Sequence, residues 1–168
     1  MDRIVYILLI IFLVLIVFWL NNFHNINTIP LNSFEIKNME IFIGNNTYNT
    51  TIYVAATPKE QEQGYMNVSI SNYSCKYKCG MLFPFTNMSY VCFWMKNTEF
   101  PIKQIWLKQI NKTKNYTIYS IVKIANALPY NTTPICAYGS AVLEIPSQYN
   151  INGLNVSKIS NKTIFKIN

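Results

Sequence analysis

The sequence predicts an α+β protein. A single N-terminal transmembrane helix should be followed by a compact β-rich domain with one short helix, its sheet a curled mixed sheet or partial barrel. Three observations predict this. Residues Ile4 to Leu20 form an apolar run without a single charge. The later apolar runs are short, rich in β-branched and aromatic residues, and bounded by turn residues. One stretch alone, "TPKEQEQG", carries helix signals at both ends.

The N-terminal run, "IVYILLIIFLVLIVFWL", would span about 25 Å as a helix, close to a hydrocarbon core of roughly 30 Å. Tyr6 and Trp19 sit near its ends, where amphipathic rings favour the headgroup region. A buried core helix of a soluble protein would have a polar face, and this run has none. A cleaved signal peptide would need a small-residue cleavage site, which "FWLNNFHNIN" lacks. Arg3 precedes the run and no further Lys or Arg appears until Lys37. The positive-inside rule then leaves the N-terminus in the cytoplasm and the rest of this single-pass membrane protein outside. Residues 1–22 read as the anchor, 23–35 as an Asn-rich linker, and 36–168 as the extracytoplasmic domain.

Within the domain, "FEIKNMEIFIG" alternates and ends at Gly44, as a strand does, and "TTIYVAA" reads as a second strand. In "TPKEQEQG", Thr57 can cap, Pro58 suits the first helical position, Glu60 completes a capping box and Gly64 ends the helix. Residues 67–80 read as a polar loop. "MLFPF" and "YVCFWM" are apolar on both faces, the pattern of doubly buried strands. "PIKQIWL", "YTIYSIVKI", "SAVLEI" and "KTIFKI" supply the remaining strands, with no internal repeat.

Composition narrows the function classes. Of 168 residues, 51% are apolar and only 12% charged, with a net charge of +7. The basic residues are thinly spread, densest at Lys76, Lys78 and from Lys103 to Lys114, and Arg3 is the only arginine. Nucleic-acid binders cluster their basic residues and rely on Arg, so no nucleic-acid partner is expected.

Ten N-x-[ST] sequons occur, at Asn45, Asn49, Asn67, Asn72, Asn87, Asn111, Asn115, Asn131, Asn155 and Asn161. Chance would give roughly three at this composition, so the excess points to an N-glycosylated domain outside the cell. An Asn-rich chain without glycans is the plain alternative. Few carboxylates leave little ionisation to lose as pH falls, which suits an archaeal surface in hot, acidic surroundings.

The four cysteines allow three connectivities. Cys75–Cys79 with Cys92–Cys136 is the preferred pairing, the second closing a loop of about 45 residues. A four-cysteine zinc site is the alternative, but thiols outside the membrane oxidise, so disulfides are favoured and neither metal nor cofactor is expected. His24, the only histidine, lies in the linker, so the domain can build no His-based triad or metal site.

"IYVAATPKEQEQGYM", "GMLFPF", "FWMKNTEFPI" and "PICAYGSAVLEIP" follow one another across about residues 51–146. In content and order they resemble the family known as domain of unknown function 192, small proteins of bacteria and archaea. The resemblance implies a compact β-rich fold and no assigned activity. It places the family's characteristic residues at Met66, Trp94, Lys96, Asn97, Thr98, Cys136, Tyr138 and Glu144. Two positions depart from the family pattern: Lys103 stands where an acid is common, and Ala137 where proline often follows the cysteine.

Two explanations serve "FWMKNT". In one, Lys96 leaves a buried strand along Trp94, Asn97 holds a turn, and Lys96 pairs with Glu144. In the other, Trp94, Lys96, Asn97, Thr98, Tyr138 and Glu144 form a site for a small polar or anionic ligand. A membrane-anchored binding or envelope-associated module is the favoured function, with the membrane and a cell-envelope protein as further partners. An enzyme using Lys96, Glu144 or Cys136 is a second reading, with no catalytic residue assigned. A protein–protein module of a cell-surface assembly is the third.

Overall fold

The structure, a computed structural model, describes residues 10–16, 28–69, 75 and 78–168. Arg3, His24, Asn72, Lys76 and part of the expected linker lie outside the described residues.

The fold class differs from the expectation: the domain is mostly β rather than α+β. Among its described residues the one α-helix, α1 (Pro58–Gln63), is six residues long and buries Gln63 alone, too little to form a layer. The expected transmembrane helix is not found among the described residues. Residues 10–16 are helical, but among the described residues no helix is long and apolar enough to cross a membrane. The rest of the Ile4–Leu20 run lies outside them.

The described residues form nine strands: β1 (Glu35–Ile43), β2 (Asn46–Val54), β3 (Lys78–Phe93), β4 (Ile102–Lys112), β5 (Thr117–Ala127), β6 (Ile135–Pro146), β7 (Asn150–Ile151), β8 (Leu154–Asn155) and β9 (Ile164–Ile167). Seven form a closed barrel in the order β1-β2-β3-β6-β4-β5-β9, and β7 and β8 form a separate ribbon. The sheet is curled and mixed as expected, and it closes completely.

Local sequence accounts for much of this path. β1 and β2 are joined by the two-residue turn Gly44–Asn45, where Gly44 has φ +57°. Positive φ in a two-residue hairpin matches the twist of the strands it joins. β2 and β3 run parallel, with Tyr53 opposite Met81 and Val54 opposite Leu82. A parallel pair cannot be joined by a tight turn, so the chain crosses over through α1 and the Cys75–Cys79 region.

"MLFPF" and "YVCF", read as parts of two strands, belong to the single 16-residue β3, and Trp94 and Met95 lie just past its end. The interruption that the sequence shows is a register shift between Pro84 and Ser89, where β3 bends against β6. The core lies where β4 and β6 sit inside the sheet, since Ile102–Leu107 and Ala141–Pro146 are buried without a break. Trp106 is wholly buried. Its indole N–H donates to the Val91 carbonyl at 3.3 Å, and Lys123 Nζ lies 5.4 Å from the ring centroid. Burying each such side chain stabilises the fold by about 2–3 kcal/mol.

Candidate functional site

The stretch "FWMKNT" leaves the end of β3 as a tight turn. Thr98 N–H donates to the Met95 carbonyl at 3.2 Å, and Asn97 has φ +51°. Asn tolerates the left-handed region better than most residues, which explains its place here. Neighbouring loops fix the turn. Asn67 N–H donates to the Asn97 carbonyl at 2.8 Å, Met95 N–H to Asn131 at 2.8 Å, and Tyr130 N–H to Thr98 at 3.1 Å.

The opposite wall comes from α1 and the residues after it. Its capping box is formed: Glu60 N–H donates to Thr57 Oγ1 at 3.3 Å, and Glu60 Oε2 accepts from Thr57 N–H at 2.8 Å. Gln61 Nε2 donates to the carbonyls of Ala55 at 3.1 Å and Pro84 at 3.0 Å, tying the helix to β3.

Between the turn and α1 lies a cleft of about 370 Å³. Tyr65, Phe83, Phe93 and Trp94 supply aromatic surface, and Met66, Met95, Thr98 and Glu144 also line it. The rings brace one another edge to face, Phe83 against Phe93 at 4.9 Å and Phe93 against Trp106 at 6.3 Å.

Glu144 is the buried acid of this cleft, 4% exposed. Met81, Glu144 and Gln104 stand directly opposite one another on the adjacent strands β3, β6 and β4, so they project to one face. Gly80 lets the strands close here: a Cβ on it would lie 3.2 Å from the Glu144 carbonyl oxygen. Gln104 Nε2 donates to Glu144 Oε1 at 3.0 Å and lies 3.9 Å from Met95 Sδ. Burial pushes the Glu144 carboxyl up to about 7, and the Gln104 hydrogen bond offsets part of that rise. Gln104 Oε1 is buried without a hydrogen-bond partner among the described residues.

The six expected ligand residues divide. Trp94, Thr98 and Glu144 line the cleft. Lys96 and Asn97 are exposed on the turn and do not line it. Tyr138 is exposed on β6, where its ring lies 5.1 Å from that of Tyr90, away from the lining. The expected Lys96–Glu144 pair is not formed. Lys96 Nζ lies over the Trp94 ring at 5.3 Å, and Gln104 takes the place at Glu144 that Lys96 was expected to fill. Lys103 is buried on β4, and burial holds its ammonium below the usual lysine range. As the neighbour of Gln104 in an extended strand it faces the other side of the sheet.

Gln104, Tyr65 and Met95 were missed as site residues. The polar Gln104 inside the apolar run "PIKQIWL" was the available signal for the first.

The cysteines pair as expected, Cys75 with Cys79 and Cys92 with Cys136. Cys92 and Cys136 are directly opposite on β3 and β6, with Cα atoms 4.0 Å apart. A four-cysteine zinc site would need free thiolates gathered in one place, and these sulfurs are bonded in two pairs. Among the nine described sequon asparagines all are exposed except the half-buried Asn131, whose Oδ1 accepts from Thr133 N–H at 2.9 Å.

Comparison with known proteins agrees with this architecture. The profile of the family DUF192, described as "Uncharacterized ACR", matches residues 40–156. A protein of unknown function from Novosphingobium aromaticivorans DSM 12444 superposes with a TM-score of 0.61 at 25% identity, over 84% of this chain and 90% of that one. A protein from Sinorhizobium meliloti 1021, provisionally named a transcription regulator, gives a TM-score of 0.62 at 23% identity, over 79% and 94%. That second likeness speaks for the fold alone. No curated protein matches the chain.

Proposed function

Since the chain belongs to the domain of unknown function 192 family, we propose that it is a binding module for a small ligand, held at the outer side of a membrane. The observation that carries the binding reading is the cleft itself, in which aromatic walls enclose a buried acid with few polar partners. Such a combination of apolar lining and a few placed polar groups is the usual make-up of a ligand site. Two disulfides and the sequon excess support an oxidising, glycan-bearing compartment. The uncharged N-terminal stretch supports attachment to the membrane, and an envelope protein is a further partner in this reading.

The experiment is native mass spectrometry of the full chain extracted from membranes in mild detergent. A small adduct should accompany the protein, and Trp94→Ala or Met66→Trp should remove it while the melting transition persists. An adduct equally abundant on both variants would overturn the cleft as its site. Peptide mass spectrometry with and without reduction tests the compartment, where bare asparagines and free thiols would reject it.

One observation favours an enzyme as the second reading. A carboxyl held at about 7 can both give and take a proton near neutrality. Cys136, bonded to Cys92, is not available as a nucleophile.

A further inference from the structure

We propose that the ligand of this cleft is a small organic ammonium, a primary amine with a short apolar body, whose N–H groups donate to Glu144 beside the unpartnered Gln104 oxygen. The inference rests on the cleft being a ligand site and specifies what chemistry it takes. Of the small polar or anionic ligand expected around Lys96, it sets the anionic form aside.

Charge is the first argument. The charged residues lining the cleft are Glu62 and Glu144, and no Lys or Arg is among its described lining residues. Lys96 sits outside over Trp94, and Lys103 faces the other side of the sheet. An anion entering here would lose its hydration with no cation among the described lining residues to offset the cost. An ammonium meets the opposite situation.

Hydrogen-bond capacity is the second. A carboxylate offers acceptor sites for about four donors. The side chain of Gln104 supplies one of them to Glu144, at 3.0 Å. Gln104 Oε1, on that same amide, is a buried acceptor without a partner among the described residues. Once Glu144 is ionised, the acceptor sites at this acid outnumber the one donor that Gln104 supplies. An ammonium brings three donors and nothing that competes for them.

The walls supply the third. Tyr65, Phe83, Phe93 and Trp94 present aromatic surface around the acid. Ring faces attract cations by about 0.5–2 kcal/mol, more as water is excluded, while ring surface also covers an apolar body. At about 370 Å³ the cleft is small, near the lower end of ligand pockets.

Binding carries a proton signature. Below the carboxyl's value of about 7, Glu144 is protonated in the empty cleft. Pairing with an ammonium requires the carboxylate, so the carboxyl proton leaves to solvent as the ion pair forms. Glu62 on α1 is the other charged group lining the cleft. The residues opposite Glu144 on β3 and β4, Met81 and Gln104, do not titrate.

The test is isothermal titration of the full chain in detergent at pH 6 with n-butylamine hydrochloride, 1-butanol and sodium butyrate. Each titration is run in two buffers of different ionisation enthalpy. Butylamine is expected to bind at least about tenfold more tightly than either control, releasing close to one proton. Glu144→Gln, an uncharged isostere, should bring butylamine to within about twofold of 1-butanol. Trp94→Ala, at a half-exposed position safe for folding, should weaken butylamine by about threefold or more. Binding of 1-butanol or butyrate as tight as butylamine would overturn the ammonium assignment and leave the cleft a binding site. Undiminished butylamine binding by folded Glu144→Gln would do the same. No binding of any of the three probes would overturn both readings.

Discussion

Glu144 and Gln104 face one another across β6 and β4, carboxyl oxygen to amide nitrogen at 3.0 Å, in the most buried part of the barrel wall. An acid placed there is costly to ionise, and that cost becomes a dependence of stability on pH.

In the fold the Glu144 carboxyl is raised to about 7, against 4.5 for an ordinary glutamate. Between those values the folded protein keeps the proton and the unfolded chain releases it. Stability contributed by Glu144 is therefore fully present below about 4.5, declines as pH rises, and is gone above about 7. The span amounts to about 3 kcal/mol. Glu40 runs the other way, since its hydrogen bond to Lys166 lowers its carboxyl and that contribution is lost in acid. Denaturant titrations from pH 4.5 to 8.5 should show a decline that Glu144→Gln abolishes. A flat profile for the unmodified protein would contradict this account.

Gln104→Leu removes the partner of a buried acid without opening a large cavity. The loss should be about 1–3 kcal/mol at pH 8, where Glu144 is ionised, and smaller at pH 5. The carboxyl should also titrate higher, because the hydrogen bond that lowers it is gone. Chemical denaturation at the two pH values checks the first expectation, and carboxyl NMR titration the second.

The Cys92–Cys136 bridge spans 44 residues in sequence. Replacing both cysteines by serine should cost about 4 kcal/mol on the chain-entropy account. The Cys75–Cys79 bridge spans four residues, and its loss should cost about 2 kcal/mol. Equal losses in unfolding free energy for the two double variants would show that loop closure is not what these bridges contribute.

Asn97 sits at φ +51° on an exposed turn. Asn97→Gly should be nearly neutral, whereas Asn97→Val should cost about 1–2 kcal/mol, because branching at Cβ is worst in the left-handed region. Thermal melts of both separate backbone strain from a binding role. Lys96→Met should leave ligand affinity within about twofold, since Lys96 lies outside the cleft lining.

Features set by neighbours in sequence were legible. The Thr57–Glu60 capping box, the strand that stops at Gly44 and the strand character of the apolar runs all depend on local spacing. The "NG" of the β7–β8 hairpin carried an equally local signal and went unread: Asn152 and Gly153 both have positive φ. Parallel pairing of β2 with β3 was not legible, because register between distant strands is written in no single segment. The candidate site failed for a related reason. Lys96 and Glu144 looked like partners because both were charged and apolar runs surrounded them. The neutral Gln104, which register sets opposite Glu144, drew no attention. Trp94, Thr98 and Glu144 came together as expected, while Tyr138 shares the strand of Glu144 but lies away from the cleft.

The barrel is closed by β9, the last of the described strands. β9 fits between β1 and β5, and Lys166 meets Glu40 across 126 residues. Until Ile164–Ile167 has been made, β1 and β5 each present an unpaired edge, the kind of surface on which chains join to one another. Contacts so distant in sequence also form slowly. Deleting Ile164–Ile167 would leave both edges open for good.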